Sequence, residues 1–289
     1  MAQGPEGEPP PAAALAGLSR LAFLGTPAVA AHVLEALVGA GHDVAIVITQ
    51  PQKGRGPVPA ARKAAEARGL AASEQADDAV EVGAELGVVV AYGRIIRPHV
   101  LARLPMVNLH FSLLPRWRGA APVERAILAG DAATGACLMA LEEGLDTGPV
   151  FACERLAIGE DETAAELSRR LVEAGTALLL DRLRNGLGTP RPQEGEATYA
   201  AKVEPHEMRL DWHRPAVEVL RKVRVGRGSW TTFRGRRLVV LDAAVAPGHH
   251  ALAPGELEGV MVGCGGGPAV ELRRVLPEGR SRLAAADWA

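Results

Sequence analysis

Short apolar runs alternate with a longer amphipathic segment near the start of the chain, and this pattern constrains the fold most. Arg20 to Gly25 and Val44 to Ile48 predict two buried strands, and the segment between them predicts a helix that ends at the glycines of residues 39–41. Strand, helix and strand in this order form a parallel βαβ unit. The run Val88 to Tyr92 is apolar throughout, which is typical of a central strand in a parallel sheet. The first part of the chain is therefore predicted to be an α/β domain with a mostly parallel sheet.

A stretch rich in Gly, Pro and polar residues, 185–208, is predicted to link two domains. Beyond it, short strand-like pieces separated by Gly-containing turns predict a small β-barrel. The predicted organisation is a disordered tail over 1–18, a larger domain over 19–184, the linker over 185–208 and a smaller barrel over 209–289.

The run Met106 to His110 alternates apolar and polar side chains, which predicts a half-buried strand. Because successive side chains of a strand point to opposite faces, Asn108 and His110 share one face. An amide donor beside a titratable imidazole at the carboxyl end of a strand forms a candidate catalytic pair. Taken alone, such residues are more often turn-formers or surface groups, and Asp146 between two glycines is more often an Asx-turn.

Two longer motifs change this balance. VNLHFSLLPRWRGAAP, over 107–122, and GLDTG, over 144–148, stand in this order, and Asp146 comes 36 residues after His110 (146 − 110). Together they resemble the methionyl-tRNA formyltransferase family. The resemblance implies a Rossmann-like mostly parallel sheet domain followed by a smaller OB-like β-barrel. It also implies formyl transfer from 10-formyltetrahydrofolate to the amino group of methionyl initiator tRNA.

The resemblance implies roles for residues of both motifs. Asn108 would stabilise the oxyanion, His110 would assist the developing charge and move protons, and Asp146 would orient His110 and accept the ammonium proton. The loop AYGRII is similar to the loop with which the family binds the pterin ring. The expected folate-binding residues are Tyr92, Gly93, Ile95, Ile96, Ser112, Leu113, Leu114 and Pro115.

The charge of the chain is unevenly distributed. From Arg209 onward there are 13 Lys and Arg against 8 Asp and Glu, or +5, whereas the first 208 residues carry 19 against 26, or −7. A basic second domain favours a polyanionic partner. With the family's tRNA-contacting loop at 50–59, this gives a predicted tRNA-binding set: Lys53, Arg55, Arg221, Lys222, Arg224, Arg227, Arg234 and Arg236.

Several classes of protein are disfavoured. LGTP, over 24–27, has one Gly in place of G-x-G-x-x-G, and its Pro lacks a backbone donor, so NAD is not expected. The three cysteines show no spacing typical of a metal site or of a disulfide framework, so no metal is expected. No apolar run spans a bilayer and no signal peptide is evident. We expect a cytoplasmic monomer without membrane contact.

Alternatives remain at this stage. The same catalytic set serves formylation of glycinamide ribonucleotide or of sugar nucleotides, and hydrolysis of formyltetrahydrofolate. A non-catalytic RNA-binding protein on this scaffold is a further alternative. The SLLPRWRGAAP motif, together with a basic barrel, favours tRNA as the substrate. One departure from the family's usual motif is Phe111 in place of Gly, which predicts either ordinary β backbone there or a slightly different loop.

Overall fold

The computed structural model describes residues 20–52, 54–248 and 251–289. The tail over 1–18, predicted to be disordered, lies outside the described residues. The first elements are β1 (Arg20–Gly25), α1 (Ala28–Gly39), β2 (Asp43–Ile48), α2 (Ala60–Ala67), β3 (Ala72–Ser73), α3 (Asp78–Glu81), β4 (Leu86–Val90), α4 (Pro98–Leu101) and β5 (Met106–His110).

The chain continues from β5 to the C-terminal helix. The next elements are β6 (Arg118–Gly119), α5 (Pro122–Ala129), β7 (Ala133–Ala140), β8 (Val150–Ala157), α6 (Ala164–Asn185), β9 (Tyr199–Ala200) and α7 (Ala216–Val225). The last elements are β10 (Trp230–Phe233), β11 (Arg236–Val245), β12 (Leu257–Glu258), β13 (Met261–Val262), β14 (Val270–Pro277), β15 (Leu283–Ala284) and α8 (Ala285–Trp288).

The larger sheet has seven strands in the order β3-β2-β1-β4-β5-β7-β8. Strands β1 to β5 pair in parallel, and β7 pairs with β5 antiparallel. The mostly parallel α/β sheet predicted from the sequence is therefore confirmed. From β1 the chain first builds outward to β2 and β3 and then returns to place β4 on the other side of β1. Ligands of such sheets bind outside the carboxyl ends of the strands where this reversal occurs.

Strands of this sheet are apolar because helices and loops cover both faces. Leu21, Phe23 and Val88 pack on one face with residues of α1 and α6. Alternate residues, such as Leu24 and Val89, pack on the other face in a second apolar cluster. Period-two alternation between two buried faces gives runs that are apolar at every position.

The prediction that β5 is half buried was wrong. All five residues are buried, including Asn108 at 9% and His110 at 6% exposure. The loop that follows β7 begins beside the start of β5, where Leu141 N donates to Met106 O, and its Asp146 accepts a hydrogen bond from Asn108 on the polar face of β5. A strand face that is covered by a polar loop carries polar side chains at alternate positions, as does a strand face that is exposed to water.

The chain packs as two compact units. The first contains the described residues up to Arg118, with Gly135–Arg155 and Arg170–Thr198, and the second contains Gly119–Thr134, Leu156–Arg169 and Tyr199–Ala289. This division differs from the predicted boundaries because α5 belongs to the second unit. There, Arg125 of α5 forms a bidentate ion pair with Glu207 at 2.7 and 3.0 Å.

The second unit contains an antiparallel sheet. Its strands run in the order β10-β11-β14-β13-β12, and β15 pairs with β14. Helix α7 contributes Val219 and Val223 to the apolar core of this unit, and Trp288 of α8 packs edge-to-face on Phe233 with centroids 4.8 Å apart. The predicted antiparallel β domain is thus confirmed, and its closer likeness to an OB barrel stays a prediction.

The spacing of the three cysteines predicted no disulfide framework, yet two of them are paired in the structure. Cys137 and Cys153 form a disulfide with Cα atoms 4.1 Å apart. They lie on β7 and β8, which are neighbours in the sheet, so strand pairing brings together residues that share no recognisable spacing motif. Cys264 is a buried free thiol.

Candidate active site

Asn108, His110 and Asp146 meet in the first unit. Asn108 Nδ2 donates to Asp146 Oδ1 over 3.2 Å, and His110 Nδ1 lies 3.6 Å from Asp146 Oδ2. All three residues are buried, and their exposed fractions are between 6% and 9%. One carboxylate therefore faces both the amide and the imidazole, one oxygen toward each.

The position of Asp146 depends on an unusual backbone conformation. Its φ is +50°, in the left-handed region that most residues avoid. Asp enters this region more readily than bulkier residues because its short side chain bonds locally. Gly144 and Gly148 flank the turn, and a Cβ on Gly148 would lie 2.0 Å from the carbonyl oxygen of Ala140. The GLDTG motif thus supplies the residue types that this tight return over β5 requires.

His110 is held between two acceptors. Its Nε2 is 2.9 Å from the carbonyl oxygen of Trp117, which can only accept, so Nε2 carries the proton. Its Nδ1 faces the Asp146 carboxylate. A ring protonated on both nitrogens therefore has an acceptor for each, which suits a side chain that carries a proton during a reaction.

The segment after β5 is fixed by its own hydrogen bonds. Ser112 Oγ donates to the carbonyl of Arg116 over 2.6 Å. Trp117, at φ +64°, donates its backbone N–H to Thr198 Oγ1 over 2.9 Å. These bonds hold the Trp117 carbonyl in place for His110.

Sequence reasoning missed Gln193. Its Nε2 donates to the carbonyls of Asp146 and Gly148, both at 2.8 Å, and its Oε1 accepts from Arg118 Nε and Nη2 at 3.1 and 2.6 Å. Gln193 lies within the stretch that was predicted to be a linker. Nothing in its local sequence marks it, because its partners are 45 to 75 residues away.

The loop after β4 lies at the reversal point of the sheet. The carbonyl of Tyr92 accepts from Thr26 Oγ1 at 3.3 Å and from Gln50 Nε2 at 2.7 Å, which ties together the loops that follow β1, β2 and β4. Gly93 is left-handed at φ +72°, and a Cβ there would lie 2.6 Å from Gln50 Nε2. Burial raises the pKa of the Tyr92 phenol.

The two isoleucines of this loop differ. Ile95 is 90% exposed, whereas Ile96 is 6% exposed and packs in the apolar core. Leu145, beside Asp146, is 61% exposed. Ile95 and Leu145 are thus large apolar side chains available to a ligand, and Ile96 supports the loop from beneath.

The remaining predicted folate-binding residues follow His110. The Ser112 side chain is fully buried, while Leu113, Leu114 and Pro115 are partly exposed. The peptide bond between Leu114 and Pro115 is cis. This segment and the β4 loop follow neighbouring strands at the carboxyl edge of the sheet.

Comparison with known proteins decides the family. A formyl transferase family model matches residues 19–183, and the model of the formyl transferase C-terminal domain matches residues 202–289. The methionyl-tRNA formyltransferase of Dinoroseobacter shibae is 48% identical over 290 residues, which cover 93% of this chain and 96% of that protein. The enzyme of Arthrobacter sp. strain FB24 is 42% identical over 296 residues, with the same coverage. This chain belongs to the methionyl-tRNA formyltransferase family.

Solved structures share the fold of this formyltransferase. HypX from Aquifex aeolicus, crystallised with tetrahydrofolic acid, matches with a TM-score of 0.68 and 20% identity over 94% of this chain. This chain spans about half of HypX, 47% of its length. An N-formyltransferase from Helicobacter canadensis, in complex with folinic acid and dTDP-3-aminofucose, matches with a TM-score of 0.69 and 16% identity, covering 87% of this chain and 98% of that one.

Basic side chains of this formyltransferase fall into two groups, and the first is engaged inside the second unit. Lys222 Nζ donates to the Arg209 carbonyl over 2.8 Å, and Arg224 Nη1 donates to the Gly159 carbonyl over 3.1 Å. Burial lowers the pKa of Arg224. The guanidinium of Arg227 pairs with Glu124. These side chains therefore stabilise the unit as well as adding to its charge.

The second group is more open. Arg234 and Arg236 are exposed at the turn between β10 and β11, and Arg234 lies over the Phe233 ring at 5.1 Å. Arg221 is half-buried, and its guanidinium lies where a side chain on Gly130 would be. Arg234 and Arg236 are thus the better placed for a phosphate.

The predicted tRNA-contacting loop is short. Arg55 is exposed in a turn between β2 and α2, and Lys53 lies outside the described residues. No described helix of this formyltransferase is long and apolar enough to cross a membrane. Among the described residues, no three His, Cys, Asp or Glu side chains group as metal ligands would.

Proposed function

We infer that this chain transfers a formyl group from 10-formyltetrahydrofolate to the amino group of methionyl initiator tRNA. The observation that carries this inference is the buried cluster of Asn108, His110 and Asp146 in a chain that matches curated methionyl-tRNA formyltransferases along nearly its whole length. The reaction requires a donor for an oxyanion, an acceptor for a proton and a way to hold two substrates together. The cluster supplies the first two.

The amine nitrogen attacks the formyl carbon, and a tetrahedral oxyanion develops. Asn108 has two N–H hydrogens on Nδ2, and Asp146 Oδ1 accepts one of them. The other can donate to the formyl oxygen. Because Asp146 fixes the plane of the amide, this donor is already oriented before the substrate binds. Loss of such a donor costs on the order of 3 kcal/mol in the barrier.

Proton transfer completes the reaction. Only the free amine attacks, so the ammonium group first loses a proton, for which the Asp146 carboxylate is the acceptor, directly or through water. The new C–N bond forms and leaves a positive charge on the attacking nitrogen, which then gives up its second proton. The bond from the formyl carbon to N10 of the folate breaks as the oxyanion returns to a carbonyl, and N10 receives that proton. His110, between Trp117 and Asp146, is placed to deliver it.

The two substrates require separate sites. The formyl donor is proposed to bind outside the carboxyl ends of β1, β4 and β5, beside the exposed side chain of Ile95. Backbone groups of Tyr92, Gly93 and the SLLP segment are proposed to bind the pterin, as in the family. For the tRNA, the exposed Arg55, Arg234 and Arg236 are proposed to contact phosphates, and the remaining basic residues add to the attractive field.

Transfer to methionyl-tRNA separates this proposal from its rivals. Purified protein is incubated with 10-formyltetrahydrofolate and charged initiator tRNA. Mild base then hydrolyses the aminoacyl ester, and mass spectrometry identifies the released amino acid. Parallel reactions contain free methionine, glycinamide ribonucleotide or an amino-sugar nucleotide. Formylmethionine from the charged tRNA, with no product in the other reactions, is expected. Formylation of a small amine, or release of formate alone, would overturn the proposal.

A further inference from the structure

Gln193 connects the two segments that flank His110. The carboxylate on one side of the imidazole belongs to Asp146, whose carbonyl accepts from Gln193 Nε2 at 2.8 Å. The carbonyl on the other side belongs to Trp117, and the next residue is Arg118, which donates twice to Gln193 Oε1. The amide thus uses its donor end for one segment and its acceptor end for the other.

The hydrogen bonds of Gln193 stabilise a segment whose backbone conformation is unfavourable. Asp146 at φ +50° and Trp117 at φ +64° both have left-handed backbone, which is unfavourable for residues other than Gly. Gln193 bonds the carbonyl of Asp146 and that of Gly148, two residues later, so the strained turn is fixed at Asp146 and at the glycine that ends it. A strained turn keeps its conformation only when surrounding hydrogen bonds hold it. Without the bonds from Gln193, the Asp146 carboxylate is free to move.

We propose that Gln193 is a positioning residue for formyl transfer, which acts by holding the Asp146 carboxylate beside His110. The proposal rests on the function inferred above. Gln193 touches no reacting atom, because both ends of its amide are bound to protein groups. It acts through Asp146, whose oxygens reach Asn108 and His110.

Two substitutions separate the ends of this amide. Gln193→Met keeps the length of the side chain and loses every hydrogen bond. Gln193→Glu keeps an acceptor for Arg118 but loses the donor, and it turns a carboxylate toward two carbonyls. Gln75→Met is the matched control, since Gln75 is exposed in the loop before α3 of the same unit.

Single-turnover formyl transfer is measured with saturating 10-formyltetrahydrofolate and charged initiator tRNA, together with KM for each. We expect the rate of Gln193→Met to fall by about 10- to 100-fold, and that of Gln193→Glu by at least as much, with each KM within about 2-fold. Gln75→Met keeps the wild-type rate. A rate for Gln193→Glu equal to that of the wild type would overturn the proposal.

Gln193→Met in an Asp146→Asn background tests whether Gln193 acts through the Asp146 carboxylate. A residue that acts through the Asp146 carboxylate has little left to lose there, so Gln193→Met is expected to change the rate by less than about 2-fold. An equal loss in both backgrounds would overturn the proposal in favour of a general structural role. If Gln193→Met does not fold, as judged by thermal unfolding, Gln193→Glu takes its place in both measurements. An inactive wild-type protein would instead refute the proposed function.

Discussion

Asn108 and Asp146 are joined by a hydrogen bond from Nδ2 to Oδ1 of 3.2 Å, although 38 residues separate them in the chain. The bond fixes which end of the amide faces the carboxylate, and it leaves one N–H of Asn108 for a second acceptor. Both groups are buried, so the bond forms in an environment of low dielectric, where preorganised donors are most effective.

Asn108→Ala is therefore expected to lower the single-turnover rate of formyl transfer by about 10²- to 10³-fold. The loss arises because the oxyanion no longer has its oriented donor. The dissociation constant of charged initiator tRNA, measured by filter binding, is expected to stay unchanged, since Asn108 is 9% exposed in the first unit. A weaker complex with an unchanged rate would show that Asn108 binds substrate and does not serve the chemical step.

Asp146→Asn separates the charge of this side chain from its backbone conformation. Asn tolerates left-handed φ about as well as Asp, and its side-chain oxygen can still accept from Asn108. The negative charge that faces His110 and would accept the ammonium proton is lost. We expect the single-turnover rate to fall by about 10²-fold or more, within the range for a general base. A melting temperature close to that of the wild type would show that the turn survives, and full activity would exclude the carboxylate as the proton acceptor.

Periodicity was enough to predict most of the first unit. The bounds of β1 and β5 agree with the sequence prediction because β1 is a continuous apolar run and β5 alternates with period two, and α1 ends at the glycines that the sequence marks. The loop bearing Asp146 was assigned to the site through motif resemblance, since nothing local to GLDTG shows what it faces.

Long-range pairing could not be predicted from local patterns. The Cys137–Cys153 disulfide depends on which strands become neighbours, and the contacts of Gln193 depend on how residues 191–198 return to the first unit. The complete burial of β5 has the same origin, since alternation does not distinguish a polar loop from water. Each of these features is a tertiary contact between segments that no short window contains.

Phe111→Gly restores the residue usual at this position of the family and is nonetheless expected to destabilise the protein. Phe111 has ordinary negative φ and packs its ring against the main apolar core, so a glycine gains no needed conformation and loses apolar contact. We expect the free energy of unfolding to fall by about 2 kcal/mol. Denaturant unfolding measures the change, with Phe111→Leu as the control that keeps most of the contact. Unchanged stability would mean that the ring does not contribute to the core.

The three cysteines are expected to react differently with iodoacetamide at pH 8. Burial raises the pKa of Cys264 to about 11, so almost none of this thiol is ionised, and it is also shielded by its core. Native protein should therefore be labelled slowly, and denatured protein without reductant should take a single label at Cys264. Reduction of the disulfide should make Cys137 and Cys153 reactive as well. Peptide mass mapping identifies the labelled cysteines. Labelling of all three after denaturation without reductant would contradict the disulfide.

Glu207→Gln tests the ion pair that joins α5 to the rest of the second unit. The hydrogen bonds from Arg125 hold the pKa of Glu207 at about 2, below its ordinary 4.5. A depressed carboxyl pKa stabilises the fold fully above pH 4.5, and this contribution is lost as the pH falls toward 2. Because 31% of the Glu207 side chain is exposed, solvent screens the pair, and we expect Glu207→Gln to cost about 1–2 kcal/mol at pH 7. Urea unfolding at pH 7, 5 and 3.5 measures the difference in free energy of unfolding between the wild type and Glu207→Gln, and this difference should become smaller as the pH falls. Glu258→Gln, at an exposed position of β12, should show no such trend. A difference that stays constant over this range would assign the effect of Glu207 to packing.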